Sequence, residues 1–138
     1  MRVSRVLETC LYVDDLELAE RFYTSVLGLQ VIAREPGRHC FFQGDNQVFL
    51  LFDPRRTVED GNHHDVPRHG CRGVGHVAFT MAENEVEAWR EHLARHGVAI
   101  ERELTWENGG FSLYFRDPAG NSLELATPRL WGFDEPPR

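Results

Sequence analysis

The sequence predicts an α+β fold built from two tandem copies of one β-α-β-β-β unit. Each half of the 138 residues contains a helical pattern that follows a segment of alternating polarity, which is typical of a strand. Each helix then precedes three β-rich segments separated by turn residues. A chain of this length with 41% hydrophobic residues can build one core, so we expect one structural domain overall.

The first copy is predicted to begin with a strand at residues 6–13 and a helix at residues 14–28. The helix opens with the capping-box pattern Asp14-x-x-Glu17 and ends at Gly28. Three further strands are predicted at residues 30–34, 38–43 and 47–52. The turns between them are marked by Pro36-Gly37 and by residues 44–46.

The second copy repeats this order with a strand at residues 74–81 and a helix at residues 84–97. The helix opens with Asn84-x-x-Glu87 and carries Trp89 and Leu93 at helical spacing before Gly97. Its later strands are predicted at residues 98–106, 111–116 and 121–127. The two modules are therefore expected at residues 1–52 and 73–128.

A linker is expected at residues 53–72 and a C-terminal tail at residues 129–138. The linker is long for a loop inside a compact domain, so it is either a connection or a functional flap. Asn62-His63-His64 within it is interpreted as solvated, because a loop enforces no metal-binding geometry. His69 could cover a pocket from the linker.

Composition excludes several classes of protein. The formal net charge of −7 is spread along the chain, which argues against binding to nucleic acid. The amino-terminal residues lack the apolar run that export or membrane spanning needs, so a cytoplasmic protein without membrane contact is expected. Cys10, Cys40 and Cys71 match no zinc or redox spacing and are expected to be reduced thiols, mostly in packing roles.

Three polar residues stand at unusual places in the strands. Aligning the copies at their helices puts Glu8 at the position of His76. In the last strand Glu124 alternates with Leu123 and Leu125, whereas the first copy has Leu50 at that position. A carboxylate inside a sheet needs a cation or hydrogen-bond donors, which makes His76, Glu8 and a shared metal ion its candidate partners.

Three motifs carry a resemblance to a known family. They are Val13-Asp-Asp-Leu-x5-Phe-Tyr-x3-Leu-Gly-Leu29, Gly75-His-Val-Ala-Phe79 and Ser112-Leu-Tyr-Phe-Arg-Asp-Pro-Ala-Gly-Asn-Ser-Leu-Glu124. With them the sequence resembles the vicinal oxygen chelate superfamily, which includes glyoxalase I, extradiol dioxygenases, fosfomycin-resistance thiol transferases and bleomycin-binding proteins. The resemblance implies a glyoxalase-type incomplete barrel of mixed sheet that holds a divalent metal ion.

Matched position by position, the resemblance assigns three metal ligands. Glu8 and His76 occupy the first-strand sites of the two copies, Glu124 occupies the last-strand site of the second, and Leu50 replaces a fourth ligand. Two carboxylates and one imidazole suit Mn²⁺, Mg²⁺, Ni²⁺, Co²⁺ or Zn²⁺ and do not exclude Fe. Three protein ligands leave positions open for substrate, as in catalytic sites.

Other side chains are candidates for the wall of a substrate pocket. Ser112 and Tyr114 share one strand face, which either borders the cavity or forms a solvated edge. Trp106 either contributes an aromatic wall or packs in the core. Cys10 shares a face with Glu8, but no histidine is placed beside it by the sequence, so packing is expected.

The leading hypothesis is a metal-dependent glyoxalase-like enzyme, a lyase or isomerase, that acts on a small oxygen-chelating substrate. The metal would stabilise an enolate or oxyanion as a Lewis acid, and Glu8 or Glu124 would shuttle a proton. The alternatives are ring cleavage or thiol transfer at the same metal, and a metal-free antibiotic-binding protein of bleomycin-resistance type. A homodimer is expected, in which a partner subunit could supply Glu8.

Overall fold

The computed structural model describes residues 1–59 and 66–134, and it confirms the α+β fold of tandem βαβββ modules. Two compact units are formed, Met1–Gly75 and His76–Arg138. The predicted boundaries of modules, linker and tail stay a prediction. Asn62, His63 and His64 and the last four residues of the predicted tail lie outside the described residues.

The elements of the first unit are the strands β1 (Glu8–Tyr12), β2 (Gln30–Glu35), β3 (His39–Gly44) and β4 (Gln47–Phe52) and the helices α1 (Leu16–Ser25) and α2 (Pro54–Thr57). Those of the second unit are the strands β5 (His76–Thr80), β6 (Arg102–Thr105), β7 (Phe111–Arg116) and β8 (Ser122–Ala126), the helix α3 (Val86–Arg95), and the 3-10 turns Glu83–Glu85 and Pro128–Trp131.

The two sheets have the same topology. The first has the order β1-β4-β3-β2 and the second the order β5-β8-β7-β6. In each, the first and last strands are parallel neighbours and the other pairs are antiparallel. Leu50 lies opposite Cys10 in one sheet as Glu124 lies opposite Ala78 in the other, which agrees with the alignment of the two copies.

Both long helices start differently from the sequence prediction. Asp15, not Asp14, caps α1, because its carboxylate accepts a hydrogen bond of 2.9 Å from the Leu18 N–H. Asn84 does not cap α3, since it lies within a 3-10 turn that leads into the helix. There the Glu85 carboxylate accepts from the Ala82 N–H at 2.9 Å. The helices themselves are confirmed.

One face of each sheet belongs to the core of its unit. In the first unit Tyr23 of α1 is fully buried and lies against Phe42 and Phe49, with ring centroids 5.7 and 5.1 Å away. In the second unit the buried apolar side chains of the sheet and α3 are Leu93, Leu113, Phe115, Leu123 and Leu125. The alternating residues of β7 and β8 point to the opposite face, which is where the polar side chains lie.

The predicted linker begins with structure of its own. Asp53 is 5% exposed and caps α2, and its carboxylate forms an ion pair with Arg55 at 2.6 Å. Gly70 approaches this helix so closely that a Cβ atom there would lie 2.8 Å from Cγ1 of Val58. Among the described residues, no helix is long and apolar enough to cross a membrane.

Candidate metal centre

His76 and Glu124 meet on the polar face of the second sheet. Parallel pairing of β5 with β8 puts His76 opposite Ser122, two residues before Glu124. The His76 Nδ1 lies 2.9 Å from the Ser122 carbonyl oxygen. A carbonyl oxygen only accepts, so Nδ1 carries a proton and donates it, and Nε2 is left to face Oε2 of Glu124 at 3.4 Å.

Glu124 is a buried carboxylate with donors arranged around one of its oxygens. Its side chain is 7% exposed. Oε1 accepts hydrogen bonds from the Ser112 hydroxyl at 2.6 Å and from the Tyr114 hydroxyl at 3.0 Å. These two bonds fix the carboxyl group, so that Oε2 is the oxygen presented to His76.

Two further contacts support those donors. The Trp106 indole N–H donates to the Ser112 hydroxyl oxygen at 2.9 Å, which leaves the serine proton directed at Glu124. Burial, followed by the hydrogen bond to Glu124, raises the pKa of Tyr114 above its usual value, so the phenol stays protonated and donates. The interpretation of Ser112 and Tyr114 as a solvated edge is therefore wrong, because β7 lies inside the sheet and Ser112 is fully buried.

The chemistry of this pair fits a divalent metal ion. Two ligand atoms that each lie about 2.1 Å from one ion, at angles of about 90–110°, are about 3.0–3.4 Å apart, which matches the observed 3.4 Å. The same spacing also lies within the range of an ion pair, which a protonated His76 forms with Glu124 when no metal is bound. The bond from Nδ1 to a backbone carbonyl is also the usual support of a metal-binding histidine.

Glu8 lies in the other unit, at the start of β1, and its side chain is exposed. Within its own sheet it occupies the place that His76 has in the second sheet. Across residues 1–59 and 66–134, no three His, Cys, Asp or Glu side chains form a group that could hold a metal ion. The role of Glu8 as third ligand thus stays a prediction.

His69 packs within the first unit. Its Nδ1 lies 2.7 Å from the Tyr12 hydroxyl, and its ring stands edge-on to Phe52 with centroids 4.7 Å apart. Burial, followed by interactions with Cys10, raises the pKa of Tyr12 to about 12. The sequence offered a signal for Tyr12, because it shares a strand face with Glu8, but none for its contact with His69.

Of the three cysteines, only Cys40 has the packing role that was expected for most of them. Cys40 is buried, and its thiol lies 3.5 Å from the Glu20 carboxylate. Cys10 and Cys71 are exposed, so the expectation that Cys10 fills a packing position is wrong. The alternation of β1 supplies the physical reason, since Leu11 points into the core of its unit and Cys10 is on the opposite face.

Comparison of the sequence with known proteins identifies the family of this chain. The sequence profile of the Glyoxalase/Bleomycin resistance protein/Dioxygenase superfamily matches residues 5–125. The chain is 34% identical over 115 residues to the glutathione transferase FosA of Serratia marcescens, covering 83% of this chain and 74% of the relative. It is 28% identical over 120 residues to the metallothiol transferase FosB of Staphylococcus saprophyticus, covering 86% and 73%.

A solved structure is also similar over almost the whole chain. Lactoylglutathione lyase from Agrobacterium tumefaciens superposes with a TM-score of 0.92 at 40% identity, covering 96% of this chain and 100% of that one. The profile match spans both copies of the repeat, and the structural match reproduces their fold. The chain is a member of the Glyoxalase/Bleomycin resistance protein/Dioxygenase superfamily.

Proposed function

We propose that this protein is a divalent-metal-dependent enzyme of glyoxalase type that acts on a small oxygen-chelating organic substrate. The observation that carries the proposal is the pair His76 and Glu124, whose Nε2 and Oε2 atoms lie 3.4 Å apart on a sheet face. The similarity to a lactoylglutathione lyase and to a metallothiol transferase supports it.

In this proposal His76 and Glu124 hold the ion, and Glu8 is the third protein ligand. The bound ion, Mn²⁺, Ni²⁺, Co²⁺, Zn²⁺, Mg²⁺ or Fe²⁺, would supply Lewis-acid stabilisation of an enolate or oxyanion on the substrate. Ser112 and Tyr114 hold Glu124 in position through its other oxygen. Trp106 keeps the serine hydroxyl in the orientation that this needs.

The two carboxylates are suited to different tasks. One oxygen of Glu124 already accepts two hydrogen bonds, which stabilise its negative charge and favour a fixed ligand. Glu8 is exposed on an edge strand of its sheet and is the better proton carrier. In an isomerisation it would take a proton from one substrate carbon and return it to the neighbouring carbon, so that no proton is gained or lost.

Thiol transfer at the same site is the second candidate, because the relatives FosA and FosB are named as a glutathione transferase and a metallothiol transferase. Arg129 is the basic residue nearest in sequence after Glu124 that could assist an anionic substrate. It forms an exposed ion pair with Glu83 at 3.1 Å, which a substrate could replace at small cost.

The first test is elemental analysis of protein purified without chelators or a metal affinity column. We expect about one equivalent of a divalent metal in the wild type and its loss in both His76→Ala and Glu124→Ala. His39→Ala, a change in the other unit, serves as the control and should keep the metal. A metal-free wild type that binds a planar antibiotic tightly would overturn the proposal in favour of a sequestering protein.

Activity assays separate the two reactions. Conversion of lactoylglutathione or its hemithioacetal precursor is the assay for the glyoxalase-type reaction, and conjugation of glutathione to fosfomycin is the assay for thiol transfer. Arg129→Ala should affect the second reaction more than the first. Metal-dependent turnover in neither assay, across a panel of related thiol adducts, would contradict the enzyme hypothesis.

A mixing experiment tests whether the Glu8 of a metal site comes from the same chain or from a second copy. Glu8→Ala and His76→Ala should each be inactive if both residues bind the metal. Activity that returns when the two variants are refolded together would assign Glu8 to a site shared between two copies of a homodimer. Without its return, Glu8 belongs to the site of its own chain, and full activity of Glu8→Ala alone would remove it from the site.

A further inference from the structure

The C-terminal end of α3 carries two histidines one turn apart. His92 and His96 are related as i and i+4, so their side chains project from the same face of the helix. Their ring centroids are 4.5 Å apart with an angle of 47° between the planes. His92 is half-buried and His96 is exposed, so the space between the rings can be reached from solvent.

The separation of the ring centres is compatible with a metal ion shared by the two imidazoles. A nitrogen–metal distance of about 2.1 Å puts each ring centre about 3.2 Å from the ion, so rings at about 90–110° have centres about 4.5–5.2 Å apart. The observed 4.5 Å falls at the lower end of this range. Histidines at i and i+4 on a helix form the same two-ligand arrangement in the metal sites of zinc proteases.

An open cavity adjoins the His92 ring of this pair. A cavity of about 270 Å³ opens beside His92, and its lining consists of Glu85, Ala88, Trp89, His92 and Arg95. The positive charge of Arg95 is balanced in part by Glu91, whose carboxylate lies 3.8 Å from it. The Trp89 ring stands edge-on to His92 with centroids 5.4 Å apart.

We propose that His92 and His96 form a second metal site, which takes a divalent transition-metal ion through two imidazole nitrogens. Neutral imidazole pairs favour Cu²⁺ most strongly among the divalent ions of this row, followed by Ni²⁺ and Zn²⁺, and take Mg²⁺ poorly. In the part of the chain that the structure describes, no third His, Cys, Asp or Glu completes the group, so water fills the remaining positions. Binding is therefore reversible and exchangeable.

Occupation of this site has consequences for the helix and for metal analysis. An ion that bridges the last turn of α3 binds only the folded helix with both nitrogens, so it stabilises the folded chain. It also adds metal to the protein independently of His76 and Glu124. Protein exposed to copper or nickel would thus contain more metal than the candidate centre alone can hold.

The test uses the indole of Trp89 as the reporter. Full-length protein is titrated with Cu²⁺ alone in a non-coordinating buffer while tryptophan fluorescence is recorded, since Cu²⁺ quenches an indole at this short distance. The titration is done in the His76→Ala background, which removes the candidate centre and, with it, quenching of Trp106 by Cu²⁺ bound there. We expect saturable quenching, and a loss of at least about ten-fold in Cu²⁺ affinity in His96→Ala.

Three variants decide between the outcomes. His96→Ala changes an exposed side chain and should fold normally, whereas His92→Ala is confirmed as folded by circular dichroism before titration. Trp89→Phe should keep Cu²⁺ binding, measured by dialysis, while most of the quenching disappears. Equal Cu²⁺ affinity with and without His96 would overturn the proposal, and so would quenching that vanishes in the His76→Ala background alone.

Discussion

The hydrogen bond from Ser112 to Glu124 offers the sharpest test of how the candidate centre is built. Ser112→Ala removes a donor 2.6 Å from a buried carboxylate oxygen and changes no charge. Ser112 and Glu124 are both buried, so water does not readily replace the lost donor. The Trp106 N–H also loses its acceptor, but Trp106 is 37% exposed and can bond to water instead.

The size of the effect follows from the charge of the acceptor. A hydrogen bond to a charged group contributes about 1.5–3 kcal/mol, whereas a bond between neutral groups contributes about 1 kcal/mol. Tyr114 still donates to the same oxygen at 3.0 Å, which moderates the loss. We expect the free energy of unfolding of the metal-free protein to fall by about 2 kcal/mol.

A double-mutant cycle, followed by chemical denaturation, measures how much the Ser112–Glu124 hydrogen bond contributes to the free energy of unfolding. The second change is Glu124→Leu, which installs the residue that the first copy of the repeat has at this position, Leu50. In that background Ser112→Ala should cost little, because the acceptor has gone, so the coupling energy should be about 2 kcal/mol. Unfolding is followed with a chelator present, because bound metal would add its own stabilisation.

A coupling energy below about 0.5 kcal/mol would refute the reasoning, since residues that do not interact give additive effects within that margin. A second readout addresses the site itself. Ser112→Ala should weaken metal binding by about 10–100-fold, as expected for a residue that orients a ligand. Unchanged metal affinity would show that Glu124 does not depend on Ser112 for its orientation.

Three further predictions concern the rest of the fold. Burial raises the pKa of the Cys40 thiol to about 12, so at pH 8 it should resist alkylation while the two exposed cysteines react, as counted by mass spectrometry. Hydrogen bonding to Arg55 lowers the pKa of Asp53 below 3.8, so the ionised carboxylate stabilises the folded protein at neutral pH. This stabilisation is lost as the pH falls below about 4. In Asp53→Asn, the free energy of unfolding should therefore depend less on pH in the acid range. Gly110→Ala should lower stability by about 1–3 kcal/mol, because its Cβ would lie 2.7 Å from backbone atoms of Leu130.

Each of these has a control and a contradicting result. Rapid loss of all three thiols in the folded protein would contradict the burial of Cys40. An acid-unfolding curve that is the same for Asp53→Asn and wild type would remove Asp53 from the pH dependence. Gly44→Ala is the control for Gly110, because its φ is not positive and the nearest atom to its Cβ would be Cγ of the flexible Gln47 side chain at 3.2 Å. A larger cost at Gly44 than at Gly110 would contradict the steric argument.

The order of elements was predictable because periodicity is a local property. Alternating polarity and helical spacing depend on neighbours within a few residues, and they located all eight strands and both long helices that the structure describes. The bounds at 47–52 and 111–116 were also predicted correctly. Helix starts were less predictable, because Asp14 and Asp15 are both suitable N-cap residues. The path of the backbone into the helix decides which of them caps it, and here it is Asp15.

The sequence by itself determined the repeat and the family, because both depend on residue types at fixed spacing, and it offered His76 as one candidate partner of Glu124. Only the tertiary structure decided which oxygen of Glu124 is held by hydroxyl groups, which nitrogen of His76 faces it, and where His69 lies. These contacts join residues brought together by strand register and by the path of a linker. Spacing along the chain does not encode such contacts, since they depend on how separate elements pack.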